Sequence, residues 1–296
     1  MRIALAGLAT SHPFTDARSL AEHAELVVWE ADTDRLGRFR AEHPTVRVVP
    51  DLSGLLATEP DGVVLTVPTP DVCAALEPVL AAGPPCFVNK PAAATRAQLD
   101  RLDALVAPHA DRVLSSSVLR FAPTFAGRTL DPEKVLAVRA TVRHDVGLWA
   151  TGYNRWQDDP AAGGGTLVTM GIHGVELLVA LLGPAVRLAG AAGAVRHHRG
   201  LASEDTGVLA LRWDSGVTGI VEVLGVSATE SYTVTVHTAE SSEEIAITGG
   251  DDVLDRLGYR GTIDAFLAMV AGAPSPVPWD QTRAILDLLV SAREAA

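Results

Sequence analysis

The 296-residue chain is 48% hydrophobic, which is enough apolar material to bury one large core or two ordinary ones. Its formal net charge of −12 repels phosphate groups, so nucleic acids and anionic membranes are not expected as partners. The two cysteines, Cys73 and Cys86, match no metal-ligand or redox spacing. We therefore expect no disulfide framework and a reducing, cytoplasmic setting.

The first part of the chain alternates short apolar runs with segments of helical periodicity. Strands are predicted at residues 2–6, 26–30, 46–49, 62–67, 86–89 and 112–116. Pro13 suits the first turn of the first helix, and Thr33 and Asp51 are predicted N-caps of the next two. Thr95 and Gln98 form a capping-box pattern before another helix. This alternation predicts right-handed crossovers and an α/β fold with a parallel, doubly wound sheet.

After about residue 120 the pattern becomes that of a mostly antiparallel, open-faced sheet in an α+β domain. Residues 135–144 alternate apolar and polar side chains, and further strands are predicted at 207–213, 217–226, 232–238 and 243–247. Asp214-Ser215-Gly216 is predicted to form a hairpin turn. Helices are predicted at 171–182, 262–270 and 281–293, and the first is apolar but too short to span a bilayer, so we expect it to be buried.

Residues 7–12 connect the first predicted strand to the first predicted helix. In a dinucleotide-binding fold, this turn places backbone N–H groups and a helix N-terminus against a pyrophosphate. The sequence Gly7-Leu8-Ala9-Thr10-Ser11-His12 keeps only the first glycine of G-x-G-x-x-G, with Ala9 at the second and His12 near the third. Two interpretations stay open, a degenerate pyrophosphate site and an ordinary strand-to-helix turn.

Glu30 ends the second predicted strand, roughly 20 residues after Gly7, where the dinucleotide fingerprint has a ribose-binding acid. A carboxylate there accepts hydrogen bonds from both ribose hydroxyls and repels a 2′-phosphate. Glu30 therefore favours NAD over NADP. Asp32 competes for the same role, and a solvated strand end is the alternative interpretation of Glu30.

Ordered motifs along nearly the whole chain resemble those of the Gfo/Idh/MocA oxidoreductases, the group that includes glucose–fructose oxidoreductase and inositol dehydrogenases. The motifs are the acid-rich segment 30–35, strand 64–67 followed by Pro68-Thr69, Asn89-Lys90-Pro91 at the E-K-P signature, Arg120-Phe121-Ala122-Pro123 at R-F-x-P, Trp156, Asp159-Pro160, Gly163-Gly164-Gly165 leading into Gly171-Ile172-His173, and Glu204-Asp205-Thr206.

The resemblance implies two domains: a dinucleotide-binding Rossmann domain at 1–120, and a substrate-binding and oligomerisation α+β domain at 121–296 whose last helices can pack back on the first. It implies hydride transfer between NAD or NADP and a hydroxyl or carbonyl group of a sugar, polyol or related small molecule. It also implies a homodimer or homotetramer. The predicted cofactor contacts are Gly7, Leu8, Ala9, Thr10, Ser11, His12, Glu30, Pro68, Asn89 and Lys90.

Oxidation of an alcohol needs a general base at the hydroxyl oxygen and a nearby cation that stabilises the developing alkoxide. Lys90 follows a predicted buried strand, so its ammonium is expected at the carboxyl end of the sheet, where open α/β sheets bind ligands. His173 begins an apolar helix, and a neutral imidazole accepts a proton near physiological pH. The resemblance makes these two the predicted catalytic pair. Without the resemblance, a surface lysine in a strand-to-helix loop and a hydrogen-bonded core histidine are the more common interpretations of these two residues.

Three positions depart from the family pattern around this pair. Thr169 stands four residues before His173, where the pattern has aspartate; Asn89 replaces the glutamate of E-K-P; and Val72 aligns with a frequent histidine. These departures leave open whether the catalytic pair suffices without a neighbouring carboxylate.

Other hypotheses follow from the missing carboxylates. Asp158 or Asp159 can supply the acid, or the protein can be a non-redox or regulatory NAD(P)-binding protein. Elimination or glycoside cleavage through transient oxidation, which some members of the resembled family perform, is a third function. No Cys, His and carboxylate grouping predicts a metal site. The predicted substrate contacts are Arg120, Tyr153, Trp156, Thr169 and His173.

Overall fold

Six parallel strands form the first sheet of the computed structural model, which describes residues 1–248 and 252–296. They are β1 (Arg2–Ala6), β2 (Glu25–Trp29), β3 (Arg47–Val48), β4 (Gly62–Leu65), β5 (Cys86–Val88) and β6 (Val113–Leu114). Their order, β3-β2-β1-β4-β5-β6, is that of a Rossmann sheet, so the predicted fold class is confirmed. The strand order reverses between β1 and β4, and ligands bind at such a switch point in open α/β sheets.

Five helices connect these strands: α1 (His12–Leu20), α2 (Thr33–Glu42), α3 (Leu52–Leu56), α4 (Val72–Ala82) and α5 (Arg96–Val106). Pro13 lies in the first turn of α1 and Asp51 caps α3, as predicted. The capping box that begins α5 is also complete.

The predicted N-cap of α2 is wrong by one residue. Asp32, not Thr33, precedes the helix in an extended conformation, and its carboxylate accepts hydrogen bonds from the backbone N–H groups of Asp34 and Arg35. A carboxylate there satisfies two of the helix's unpaired amides and also interacts favourably with the helix dipole. Thr33 is therefore the first helical residue.

The second sheet contains β7 (Val135–Asp145), β8 (Val186–Ala194), β9 (Thr206–Trp213), β10 (Thr218–Leu224), β11 (Val226–Thr238) and β12 (Ser242–Thr248), in the order β12-β11-β7-β10-β9-β8. Within the described part of this second sheet, β7 and β10 form the only parallel pair, which confirms the mostly antiparallel sheet. The predicted hairpin joins β9 to β10, and Gly216 adopts a φ of +94° there. Strand β8 was not predicted, because its alanines and glycines show no apolar–polar alternation.

Two helices, α9 (Gly171–Leu182) and α12 (Trp279–Ala295), cover one face of the second sheet. The other helices in this part of the chain are α6 (Gly147–Ala150), α7 (Arg155–Asp158), α8 (Gly165–Thr169), α10 (Val253–Arg256) and α11 (Tyr259–Val270). A Cβ atom at Gly174 would lie 2.5 Å from Val221, so this glycine allows α9 to approach β10 closely. The apolar segment Gly165–Leu182 has the length and composition of a membrane span, but 94% of it is buried in the protein.

Helix α11 follows the second sheet in the chain but packs on the first. Its residues Ile263, Phe266 and Met269 join an apolar layer with Ile3 and Phe87 on one face of the Rossmann sheet. The opposite face of that sheet shares a continuous core with the second domain. The two domains therefore meet along a broad apolar contact beside the carboxyl ends of the parallel strands.

Candidate functional site

Two cavities lie at the carboxyl ends of the parallel strands. The switch-point cavity, of about 320 Å³, lies where β1, β2 and β4 end, and Gly7, Glu30 and Pro68 of the predicted cofactor contacts line it. The inter-domain cleft, of about 310 Å³, lies between the two domains. Six predicted site residues line the cleft: Thr10, Ser11, His12, Lys90, Tyr153 and His173.

Gly7 ends β1 with a φ of +88°, and a Cβ atom there would lie only 2.5 Å from the main-chain oxygen of Thr66. Only glycine fits this conformation and this close approach. Its N–H donates to Trp29 O at 2.8 Å, and the N–H of Ala9 donates to Thr66 O at 2.9 Å. The turn is therefore held against both β2 and β4.

The carboxylate of Glu30 links this turn to the segment that precedes α2. Oε2 accepts a hydrogen bond from the backbone N–H of Leu8 at 2.5 Å, and Oε1 accepts one from the N–H of Asp32 at 2.8 Å. Leu8 and Ala9 are each 1% exposed, so their side chains support the turn and line neither cavity. Asp32 caps α2 and does not line the switch-point cavity.

Lys90 lies just beyond β5 and is 8% exposed. Its Nζ donates a 3.2 Å hydrogen bond to the main-chain oxygen of Thr169, so it reaches from the first domain to the second. Burial lowers the pKa of Lys90 to about 8, because desolvation disfavours the ammonium; the carboxylates of Glu230 and Glu176 oppose that shift. The side chain can therefore be present both as ammonium and as amine near neutral pH.

Asn89 stands where the family pattern has glutamate, and it does not line the cleft. Its Oδ1 accepts from the backbone N–H of Lys90 at 3.0 Å, and its Nδ2 donates to Thr66 Oγ1 at 3.3 Å. The asparagine thus fixes the backbone at the lysine without placing a negative charge beside it.

His173 begins α9 and is 4% exposed. Its Nδ1 shares a 2.6 Å hydrogen bond with Ser117 Oγ, and its ring centroid is 5.3 Å from that of Tyr232. Burial, assisted by the nearby charge of Lys90, lowers the pKa of His173 well below its usual value. The imidazole is therefore neutral at physiological pH.

A buried carboxylate, that of Glu176, binds the serine segment that contacts His173. Glu176 accepts hydrogen bonds from Ser116 Oγ and from the backbone N–H of Ser117, the latter at 2.7 Å. Burial raises the pKa of Glu176, and the guanidinium of Arg120, 3.7 Å away, opposes that shift. Arg120 also donates to Gln281 at 2.6 Å, and this predicted substrate contact does not line the cleft.

Two further predicted substrate contacts lie outside the cleft. The Thr169 hydroxyl donates to Gly165 O at 2.5 Å within α8, and the residue is fully buried. Trp156 is half-buried and lines neither cavity. Among the predicted substrate residues, the cleft thus brings together only Tyr153 and His173.

The two aspartates suggested as replacement acids form hydrogen bonds outside the cleft. Asp158 accepts from the N–H groups of Ala202 and Ser203 and from the Ser203 hydroxyl, all within 2.9 Å. Asp159 accepts from the N–H of Ala161 at 2.8 Å. Neither lines the cleft, so neither replaces the carboxylates that the family pattern places there.

Sequence reasoning missed several residues of this cleft and its surroundings. Glu230 and Tyr232 come from β11, Tyr259 from the start of α11, and Ser117 from the segment before Arg120. None of them belongs to a motif, and they are separated widely along the chain. Only the serine run at 115–117, just before the R-F-x-P segment, offered a signal. Among residues 1–248 and 252–296, no group of three or more His, Cys, Asp or Glu side chains is placed to hold a metal ion.

Residues 133–244 match the family model described as the GFO/IDH/MocA C-terminal domain. The matched residues lie in the second part of the chain and contain strands β7 to β11. This match confirms the family resemblance inferred from the motifs. No curated protein matches the chain significantly by sequence.

Solved structures share the architecture of this chain over its full length. The WlbA dehydrogenase from Bordetella pertussis, in complex with NADH and UDP-GlcNAcA, has 21% identity and a TM-score of 0.80, covering 100% of this chain and 96% of that one. A myo-inositol dehydrogenase from Corynebacterium glutamicum has 17% identity and a TM-score of 0.81, with coverages of 100% and 96%. GenD2 from gentamicin A biosynthesis, in complex with NAD, has 21% identity and a TM-score of 0.84, with coverages of 100% and 94%.

Proposed function

We propose that this protein is an NAD(P)-dependent dehydrogenase that interconverts a hydroxyl and a carbonyl group on a sugar, polyol or related small molecule. One observation carries the proposal: Lys90 and His173, from different domains, line one cleft beside the turn at residues 7–12. That cleft lies at the carboxyl ends of parallel strands, next to a switch-point cavity. The solved structures of similar fold include GenD2 in complex with NAD and the WlbA dehydrogenase in complex with NADH.

The residues present fit a dinucleotide. The absence of a side chain at Gly7, where a Cβ atom would meet Thr66, keeps the turn tight enough for close approach to a pyrophosphate. Gly7, Glu30 and Pro68 would hold the adenosine end, and Thr10 and Ser11 the phosphate end toward the cleft. When bound, the nicotinamide supplies the acceptor or donor of hydride. We infer a preference for NAD, because the Glu30 carboxylate would repel a 2′-phosphate.

We assign to Lys90 the transfer of the proton from and to the substrate hydroxyl group. Its pKa of about 8 lies near the working pH, where a buried lysine serves as base in its amine form and as acid in its ammonium form. In the oxidation direction, the Lys90 amine takes the hydroxyl proton as the substrate carbon loses hydride and becomes a carbonyl carbon. His173, held neutral by burial, hydrogen-bonds the same oxygen and orients it. This reverses the sequence-based expectation of histidine as base and lysine as permanent cation.

The proposal is tested with purified protein, NAD and a panel of polyols and sugars, following NADH absorbance. Lys90→Ala should lower turnover far more than affinity for NADH measured by calorimetry. Full activity of this variant on a confirmed substrate would refute the assignment. Tight NADH binding with no absorbance change on any substrate would favour a non-redox or regulatory protein, and release of an aglycone without net NADH would favour elimination or glycoside cleavage.

We also propose that the chain forms a homodimer or homotetramer through the outer face of the second sheet. In the described part of the chain no helix covers this face, and Val208 and Ile220 on it are 38% and 44% exposed. A second copy would bury these apolar side chains. Light scattering of the purified protein tests this, and a monomer would refute it. Cys73 and Cys86, both buried and unpaired, agree with the proposed cytoplasmic setting.

A further inference from the structure

Strand β11 is irregular where it passes the cleft. Val226 pairs with Asp145 and Ser231 pairs with Arg143, so β11 advances five residues while β7 advances two. The extra residues bulge from the sheet, and Ser227 holds them in place: its hydroxyl donates to Thr229 O at 2.9 Å and accepts from Arg143 Nε at 3.1 Å. Bulges of this kind often re-aim a side chain beside an active site. Here the bulge ends at Glu230, which lines the inter-domain cleft.

A buried tyrosine holds the Glu230 carboxylate in the cleft. The Tyr232 hydroxyl donates to Glu230 Oε1 at 2.6 Å, and Tyr232 itself is 2% exposed, with its ring beside that of His173. Within the described residues, Oε2 of Glu230 forms no hydrogen bond. One oxygen is therefore fixed by the protein, and the other can accept a hydrogen bond from a ligand.

The charges that face the cleft are few. Lys90 is its single lysine or arginine side chain among the described residues, and Asp145 pairs with His198 at 3.0 Å. Burial lowers the pKa of His12 to about 3, so it stays neutral like His173. The remaining titratable groups around the cleft are His144, Tyr232, Tyr259 and Glu230.

A substrate carboxylate or phosphate would therefore find no guanidinium in this cleft and would meet the negative charge of Glu230. Such groups are usually held by arginine, which binds them with two parallel hydrogen bonds. A hydroxyl or ammonium group, in contrast, can donate to a carboxylate in a charge-assisted hydrogen bond.

We propose that Glu230 binds the substrate in this cleft and selects a neutral or amino-substituted sugar or polyol ring over one that carries a carboxylate or phosphate. This inference rests on the proposed dehydrogenase function. Glu230 holds a hydroxyl or amino group of the ring while Lys90 and His173 hold the oxygen that reacts. It thus supplies a carboxylate to the cleft from strand β11, whereas the family pattern would place one at position 169 in helix α8.

The test compares the wild type with Glu230→Gln, which keeps the size and the acceptor oxygen but removes the charge. Glu243→Gln is the matched control, because this exposed carboxylate on the neighbouring strand β12 pairs with Arg128 at 2.9 Å and does not line the cleft. The probes are myo-inositol, D-glucose, D-glucosamine, D-glucuronate and D-glucose 6-phosphate. Turnover is followed by NADH absorbance, and binding to the NADH-loaded protein by the fluorescence of Trp149, which lines the cleft.

The wild type should prefer the neutral and amino compounds over the two anionic ones by about tenfold or more in kcat/KM or affinity. Glu230→Gln should lose most of that preference, chiefly because it uses glucosamine less well, while Glu243→Gln should keep it. Glu230→Gln should also move the Lys90-dependent limb of the pH–rate profile to lower pH, because the carboxylate that raises the pKa of Lys90 is gone.

The experiment distinguishes a failure of the proposed role of Glu230 from a failure of the proposed dehydrogenase function. Unchanged selectivity in Glu230→Gln, a wild type that prefers the anionic probes, or no binding of any neutral or amino probe would overturn the role of Glu230. If the predicted binding preference is present and is lost in Glu230→Gln, but no probe changes the NADH absorbance, the substrate class stands and the dehydrogenase function falls. Retained NADH affinity in each variant shows that it has folded.

Discussion

Lys90 Nζ donates its hydrogen bond to the main-chain oxygen of Thr169, at the position where the family pattern has aspartate. A main-chain carbonyl accepts from an amine as well as from an ammonium, but it lacks the full charge that would hold the proton on the lysine. The lysine is therefore positioned by a neutral partner, and burial can lower its pKa to about 8. Lys90 thus has a main-chain partner at the position where the family pattern has a carboxylate.

The first prediction concerns the pH dependence of turnover. Oxidation requires the Lys90 amine, so its rate should rise with pH through about 8 and then level off. Reduction requires the ammonium, so its rate should fall over the same range. Measurement of kcat/KM in both directions between about pH 6 and pH 10 checks this.

Lys90→Arg supplies the control, because a guanidinium keeps the positive charge but does not release its proton in this range. Oxidation by this variant should fall by about 10²-fold or more. A wild-type rate that does not change with pH, or an arginine variant that retains its activity, would contradict the assignment of the proton to Lys90.

The second prediction concerns Ser117, whose hydroxyl contacts His173 Nδ1 at 2.6 Å. Ser117→Ala frees the imidazole to rotate, so the histidine no longer orients the substrate oxygen, and kcat should fall by about tenfold while NADH affinity is kept. Ser115→Ala is the matched control: this serine is also buried, and its main-chain oxygen, which accepts from Thr282, is unaffected by the substitution. Equal kcat values in the two variants would show that the contact with Ser117 does not position His173.

The sequence predicted the framework of the molecule well, because local patterns determine that framework. Apolar strands with capping signals between them specify the Rossmann half, and the capping box at Thr95 formed as predicted. Strand β8 was not predicted, because its alanines and glycines do not produce an alternation of apolar and polar residues. At α2, two adjacent polar residues were both acceptable caps, and the stronger acceptor, Asp32, took the position.

The site was harder to predict, since its residues meet only through tertiary structure. Motifs mark Lys90 and His173 in the sequence, and both line the cleft. Glu230 reaches the cleft only because β11 bulges, and neither the bulge nor the register of β11 against β7 can be read from a single sequence. Arg120 carries a motif but faces the buried Glu176, because burying that carboxylate requires a partner.

The third prediction concerns cofactor choice. Glu30→Gln keeps an oxygen that can accept the N–H of Leu8 but removes the charge that would repel a 2′-phosphate. The preference for NAD over NADP, measured as a ratio of kcat/KM values, should fall by about tenfold. Glu25→Gln is the control, because this exposed glutamate on the same strand pairs with Arg2 away from the cavity. A wild type that uses both cofactors equally would refute the role of Glu30.

The last prediction concerns a carboxyl group outside the cleft. Asp16 on α1 is fully buried, and neither of its oxygens has a hydrogen-bond partner within the described residues. Burial raises its pKa from 3.8 to about 8, so the folded protein binds this proton more tightly than the unfolded chain does. Stability is therefore highest below the unfolded pKa and is lost as the pH rises from 3.8 toward about 8, where the loss levels off.

Asp16→Asn removes this titration while keeping the shape of the side chain. Its advantage in the free energy of unfolding over the wild type should grow between about pH 4 and pH 8, to roughly 2 kcal/mol or more. Urea unfolding at several pH values measures it. Asp264→Asn, an exposed aspartate on α11, should show no such trend. If the Asp16 variant differs from the wild type by the same amount at every pH, the carboxyl group is not titrating on unfolding, and the stability of α1 does not depend on its charge.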